Sequence, residues 1–395
     1  MSKALVIGQV WPEPTSSAAG WNLINILQTL TQHYEVHFTS AAAPSVRQAD
    51  LSALGMQCHT IALNDSSVDS WLIALNPDIV IFDRFMVEEQ FGWRVREACP
   101  DALTVLDSED IHCLRLGRQK DTAFDHATAL REIAAIYRCD ISLIISLHEQ
   151  RWLQQTFGIP SQKLHYHPLT RTPIANPPSF EAREGFTTIG NFKHPPNADS
   201  VRWLSELWPA IRAKLPEANL YIYGAYADHR AMQLHKPKQG FHIIGPVDDA
   251  QAAIAKHRVM LAPLRYGAGL KGKFLDAMAT GTPAVTTTIG AEGIAAIEGF
   301  PGGIADTDQE MIEAAVRLYR NAEHWQHAQQ RAQTLLQTHF SSHQHQTALL
   351  SALDQAKSNL SSRRQQDFIG DMLRHQNHGY HKFMSRWIEL KNQPK

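Results

Sequence analysis

Short apolar runs alternate with longer stretches in which apolar positions recur every three or four residues, and this alternation divides the chain into two similar halves. The first half predicts strands at 4–7, 35–39, 58–61, 78–83, 103–107 and 141–146, with amphipathic helices at 19–30, 87–98 and 128–137. After Tyr166 a segment dense in proline and polar residues, including Pro168, Pro173, Pro177 and Pro178, breaks the alternation. The pattern then restarts, with strands at 186–190, 220–224, 242–245, 259–262 and 284–287 and helices at 200–214, 250–256 and 273–279. Beyond about Thr307 the chain reads as purely helical. Its last stripe (Phe368, Ile369, Met372, Leu373, Tyr380, Phe383, Met384, Trp387 and Ile388) is expected to be buried.

Strand, helix and strand in repetition mean a parallel sheet covered on both faces. The expected fold class is therefore α/β: two Rossmann-like, doubly wound domains facing across a cleft, followed by C-terminal helices. The domains are expected at 1–170 and 186–340, with a linker at 171–185. The helical segment 341–395 is expected either to return to the N-terminal domain or to mediate association. Ligands bind at strand carboxyl ends in such sheets, so the site should lie in the cleft between the domains.

Composition narrows the function classes. At 395 residues, with 44% apolar and 19% charged, the chain has material for two packed cores. A formal net charge of −2 provides no global field for nucleic acid, so any anion must be met locally. Cys58, Cys99, Cys113 and Cys139 form no CxxC pair, which fits reduced thiols. The first apolar run is too short for a signal peptide, and no run reaches the length of a membrane-spanning helix. The expectation is a cytoplasmic protein, soluble or peripheral at the inner face of a membrane. The basic residues Arg374, Lys382, Arg386 and Lys391 beside the last stripe leave open whether it rests on an anionic membrane or packs on the body. Histidines cluster at 339, 343 and 345 and at 375, 378 and 381, but without cysteines or acids at fixed intervals no metal site is expected.

The most informative stretch is 263–285, PLRYGAGLKGKFLDAMATGTPAV. A buried strand ends there in a glycine-rich turn, two lysines follow, and an apolar-faced helix opens. Such a helix start presents unpaired N–H groups and a positive dipole end that suit phosphate oxygens. The plain alternative is an ordinary strand-to-helix connection with two solvated lysines. In the first half, the strand at 103–107 runs into DSEDIH and places Asp107, Glu109, Asp110 and His112 at a strand carboxyl end. Capping of the next helix by Ser108 or Asp110 explains part of that cluster equally well.

With IGNFKHPPNADSVRWL at 189–204, LYIYGA at 220–225, HIIGPVDD at 242–249, the lysine-bearing stretch and IGAEGI at 289–294, the chain resembles the group 1 (family 4) retaining glycosyltransferases of the GT-B fold. The resemblance covers most of the chain to about residue 350. It implies transfer of a sugar from a nucleotide diphosphate donor to an acceptor hydroxyl on a glycan, lipid-linked glycan or protein. Nucleotide sugar then acts as substrate; no cofactor, metal or nucleic acid is implied.

Carried over by position, Lys271 and Lys273 touch the leaving diphosphate and Asp276 holds the ribose hydroxyls, although Asp276 also reads as a first-turn acid on the helix dipole. Gly267, Ala268, Gly269 and Leu270 line the diphosphate. Many members carry a glutamate where this chain has Ala268, so the sugar contact falls to backbone groups or to residues elsewhere. Asn191, Lys193 and Asn197 stand where an Arg and Lys pair is common, and Lys193 substitutes for it. Gly190 turns the chain beside the diphosphate, Gly245, Pro246 and Val247 cradle the base, and Glu292 faces the ligand. Gly20 lies in the loop that closes over the donor, while Asp110 and His112 orient sugar or acceptor. Glu149 matches a family position but reads more simply as a surface helix carboxylate. Two rival readings remain: a GT-B-shaped binding protein without turnover, and a nucleotide-sugar epimerase. A dehydrogenase is disfavoured, because GQVWPEPTSSAAG lacks the GxGxxG spacing.

Overall fold

The computed structural model describes residues 2–392. Its first sheet is wholly parallel, in the order β3-β2-β1-β4-β5-β6-β7. The strands are β1 (Lys3–Gly8), β2 (Glu35–Ser40), β3 (Gln57–Thr60), β4 (Ile79–Asp83), β5 (Leu103–Asp107), β6 (Ile141–Ile144) and β7 (Leu164–Tyr166). Between them run α1 (Ala18–Leu30), α2 (Ser67–Leu75), α3 (Phe85–Ala98), α4 (His112–Gln119), α5 (His126–Arg138) and α6 (Leu147–Phe157). Side chains of β1, β4, β5 and β6 divide between two apolar layers, one on each face of the sheet, as double winding requires.

The second sheet has the order β10-β9-β8-β11-β12-β13, again all parallel. Its strands are β8 (Phe186–Ile189), β9 (Leu220–Tyr223), β10 (Phe241–Gly245), β11 (Val259–Ala262), β12 (Ala284–Thr286) and β13 (Gly303–Ile304). The helices are α7 (Pro195–Lys214), α8 (His229–Met232), α9 (Ala250–Ala255), α10 (Gly272–Ala279), α11 (Thr288–Glu298), α12 (Asp308–Arg320) and α13 (Ala322–His339). Order reverses at β8 and β11, so the crevice outside their carboxyl ends is the expected ligand position. Helix α7 begins five residues before the sequence pattern suggests, because Pro195 and Pro196 fill its first turn, where a missing N–H costs nothing. The strands β7 and β13, of three and two residues, are too short to show as periodic runs.

The segment between the sheets is fastened to the second domain. Arg183 is buried, donates to Thr282 Oγ1 (2.5 Å) and the Thr280 carbonyl (2.6 Å), and its guanidinium lies 5.3 Å from the Trp325 ring centroid. After α13 the chain crosses back. Helix α14 (Ser342–Ser358) lays Leu349, Leu350 and Leu353 into the apolar layer that holds Leu23, Ile26 and Leu27 of α1. Ser342 Oγ donates to Thr170 Oγ1 (3.0 Å), so the return crossing touches the outward one.

The terminal helices α15 (Leu360–Gln366), α16 (Phe368–Leu373) and, after a wider π turn at Arg374–His378, α17 (Gly379–Asn392) lie on the first domain. The expectation of a buried apolar stripe is corrected here. Helix α17 docks on α3 through polar side chains, and Phe383, Trp387 and Leu390 face outward. Arg374 is buried too, donating to the Arg138 carbonyl (2.8 Å) and to Asp371. Among the described residues no helix is long and apolar enough to cross a membrane.

Candidate active site in the interdomain cleft

Strand β11 ends at Ala262, and the turn that follows brings the second domain against the first. Gly269 adopts φ +69°, and a Cβ there would lie 2.9 Å from Asp110 Cβ and 3.0 Å from Ile145 Cδ1, so only glycine fits the left-handed backbone and the close approach together. Ala268 packs into the apolar layer of the first domain, while the Leu270 side chain joins the core of the second. Of Leu270 only the main chain is left for a ligand.

Lys271 is the N-cap of α10, and its Nζ donates to the Gly269 carbonyl (3.0 Å). Lys273, one residue inside the helix, donates to Asn197 Oδ1 (2.8 Å), whose amide in turn donates to the Asn191 carbonyl (3.0 Å). Gly190 belongs to this network, because a Cβ there would stand 2.6 Å from the Asn197 side chain. Both lysines are half-buried, not solvated. Burial first, and the neighbouring Lys271 second, push the Lys273 ammonium down to about 8; burial also lowers Lys271, against Glu292 and Glu149. Two poorly solvated cations at a helix start are a setting that suits an anion.

The other donor candidates surround this pair. The Asp276 carboxylate is already taken by Arg171 Nε, whose guanidinium lies 4.7 Å from the Trp21 ring centroid. Glu292 is held by Arg118 of α4, through 2.8 Å and 2.6 Å hydrogen bonds, with His148 Nε2 at 3.2 Å and Lys271 Nζ at 3.9 Å. Lys193 lies with its Nζ 3.7 Å from the Tyr226 ring centroid, and the Tyr226 hydroxyl donates to Glu13 of the first domain (2.9 Å). Gly245 (φ +93°) ends β10, and the exposed Pro246 and half-buried Val247 follow it, at the far side of the same sheet end. Gly20 sits in the first turn of α1, where a Cβ would press 2.6 Å from the Glu13 backbone. That glycine lets the 9–17 loop lie on the helix.

Across the cleft, Asp110 accepts from Arg115 Nε (2.5 Å), with His112 Nε2 at 3.5 Å. Burial alone would raise the Asp110 carboxyl, but Arg115, His112 and His194 outweigh it and hold it well below the usual carboxylate range. Burial depresses the His112 and His194 imidazoles to about 4, so both are neutral near pH 7. Ser108 and Asp110 do not cap α4. The Glu132 carboxylate accepts from the N–H groups of His112 (2.9 Å) and Cys113 (2.8 Å) instead. Asp107 and Glu109 are buried behind Asp110; burial raises both carboxyls, and the Glu109 carboxylate accepts from Asn22 (3.0 Å).

Glu149, read from the sequence as a surface carboxylate, is 0% exposed. Its Oε1 accepts from the N–H of Ile111 in the first domain (2.9 Å) and of Gly269 in the second (2.7 Å). Burial lifts this carboxyl above the usual range. Sequence reasoning also missed Arg118 and Arg171, whose roles appear only once the domains meet. No group of three or more His, Cys, Asp or Glu side chains gathers in metal-holding geometry among the described residues.

Residues 183–321 match the family Glycosyl transferases group 1. No curated protein sequence matches the chain. Among solved structures it is similar to sucrose-phosphate synthase from Thermosynechococcus elongatus (14% identity, TM-score 0.70, covering 89% of this chain and 98% of that one). It is also similar to Anabaena HepE, solved with UDP and glucose (12%, TM-score 0.69, covering 90% and 100%). A glycosyltransferase from Rickettsia africae is a third (10%, TM-score 0.68, covering 91% and 99%). At these identities the structural likeness speaks for the fold alone. Residues 183–321 thus carry the sequence pattern of the group 1 glycosyl transferases, within a chain whose two domains share the GT-B fold of the solved glycosyltransferases it resembles.

Proposed function

We propose that this enzyme binds a nucleoside diphosphate sugar with its diphosphate between Lys271, Lys273 and the first turn of α10, and transfers the sugar to an acceptor hydroxyl with retention of anomeric configuration. The observation that carries this is the desolvated lysine pair at a helix start in the cleft. Breaking the sugar–phosphate bond builds negative charge on the departing diphosphate, and cations already fixed there stabilise that charge without reorganisation. They supply the charge neutralisation that a divalent ion provides in other phosphate sites, so the reading needs no metal.

Retention is supported by Asp110. A carboxylate held so far down by Arg115 is a poor acceptor for the proton of an attacking hydroxyl. In the retaining route that proton goes to a diphosphate oxygen of the leaving donor, and Asp110 with neutral His112 only orients the sugar or acceptor. Asp276 and Glu292 would exchange their partners Arg171 and Arg118 for donor hydroxyls when the cleft opens and refills. Because Anabaena HepE was solved with UDP, uridine donors are the first to test. A glycan, lipid-linked glycan or protein is the acceptor class.

The self-pairing of Asp276 and Glu292 favours one second reading, a nucleotide- or partner-binding protein without turnover. Transfer assays with UDP-, GDP- and ADP-sugars, with product configuration read by NMR, decide between them. Retained product that is lost in Lys273→Ala supports the proposal. Nucleotide binding without transfer for every donor supports the second reading, and conversion of the bound sugar without release of nucleoside diphosphate would point to an epimerase.

A further inference from the structure

Helix α17 carries its amphipathic pattern the wrong way round for a packed element. Its polar side is spent on the first domain: Ser385 Oγ accepts from Arg94 (3.1 Å), Lys382 pairs with Glu97, and Glu389 accepts from the N–H of Ser66 (2.9 Å). Just before it, His378 meets Glu88 at 3.2 Å. Its opposite side presents Tyr380 (63% exposed), Phe383 (72%), Trp387 (57%) and Leu390 (67%) at spacings of three and four. Phe368, Ile369 and Met372 of α16 are exposed as well. An aromatic stripe this open marks an interaction surface.

We propose that this face docks on an anionic phospholipid surface, with α17 lying in the plane of the headgroups. Charge selects the occupant. The exposed charged residues of α17 are Arg386 and Lys391, both basic, and Lys391 Nζ stands 5.0 Å from the Trp387 ring centroid. The bordering carboxylates are engaged: Glu97 by Lys382, Glu389 by a backbone amide, and Asp371 by Arg374. A second copy docked on the same face would bring a further Arg386 and Lys391 to it and no exposed carboxylate of α17 to meet them. Tyrosine and tryptophan, with an apolar body and a polar edge, favour the headgroup boundary, and basic residues flanking them add attraction to anionic lipid. At about 1.5 Å per residue the 14-residue helix spans about 21 Å, so it lies along a surface.

The test is flotation of the full chain with phosphatidylcholine vesicles and with vesicles that also contain phosphatidylglycerol, alongside light scattering for mass. The expected result is flotation with the anionic vesicles, weakened by salt, abolished in Phe383→Ser/Trp387→Ser and weakened about tenfold in Arg386→Glu/Lys391→Glu. The second variant changes only solvated side chains, so its thermal unfolding should match wild type and it reports even if the first misfolds. A monomer that floats with neither vesicle overturns the proposal. So does a dimer that Phe383→Ser/Trp387→Ser makes monomeric while no vesicle is bound, which would assign the face to a second copy.

Discussion

Arg118 of α4 grips Glu292 of α11 with both terminal nitrogens, at 2.8 Å and 2.6 Å, and thereby joins a helix of each domain across the cleft. Arg118 also donates to the Gly267 carbonyl (2.8 Å), inside the turn that precedes the lysines. The pair therefore holds the cleft together and fixes the glycine-rich turn at once.

Arg118→Met leaves Glu292 with only His148 and Lys271 near it. We expect about 1–3 kcal/mol of lost stability, read by urea unfolding, since the pair is only partly buried. Adding Glu292→Leu should cost less than the sum of the two single changes. Additive losses would show that the two side chains act independently.

Lys273→Ala should lower kcat about a hundredfold, the scale for removing one preset stabiliser of developing charge. Its thermal stability should not fall, because the lysine is desolvated and its one hydrogen-bond acceptor is Asn197. Unchanged kcat would remove Lys273 from the leaving-group site.

The same lysine predicts a pH dependence of folding. Its ammonium titrates at about 8 in the folded protein against 10.5 ordinarily, so between those values the unfolded chain holds the extra proton and stability rises with pH. Lys273→Met lacks this contribution. It should exceed wild type in melting temperature most below pH 8, with the gap closing toward pH 10.5. Diphosphate binding should reverse the shift, and calorimetry of UDP binding near pH 8.5 to 9 in two buffers of different ionisation enthalpy should show proton uptake.

Gly269→Ala forces a Cβ into Asp110 and Ile145 at a left-handed backbone position. A loss of about 1–3 kcal/mol is expected. UDP binding should weaken with it, because the intrusion lies where the two domains meet. Wild-type affinity and melting temperature would mean that the turn is not held against Asp110 in solution.

Much of the architecture can be read from periodicity. Strands buried on both faces give continuous apolar runs, as at Ile79–Asp83, and these mark the sheets. The lysine-bearing turn is also legible, because glycine spacing, cation and helix start are all local. Glu149 is not. Its sequence neighbourhood is that of a surface helix, and it is buried where Ile111 and, 120 residues away, Gly269 both donate to it. Arg118 and Arg171 stay hidden for the same reason. The periodicity of α17 shows that one stripe is apolar but not which way the stripe turns, since orientation is set by the polar contacts with Arg94, Glu97 and Ser66.

Two backbone strands pass between the lobes, and the bond from Ser342 to Thr170 holds them side by side. Two separated strands would impose a fixed rotation axis, as the pins of a door do. Paired at one spot, they form a knuckle about which one lobe can both tilt and swivel. Separating the lobes then requires no covalent segment to stretch, only the release of non-covalent contacts such as that of Arg118 with Glu292.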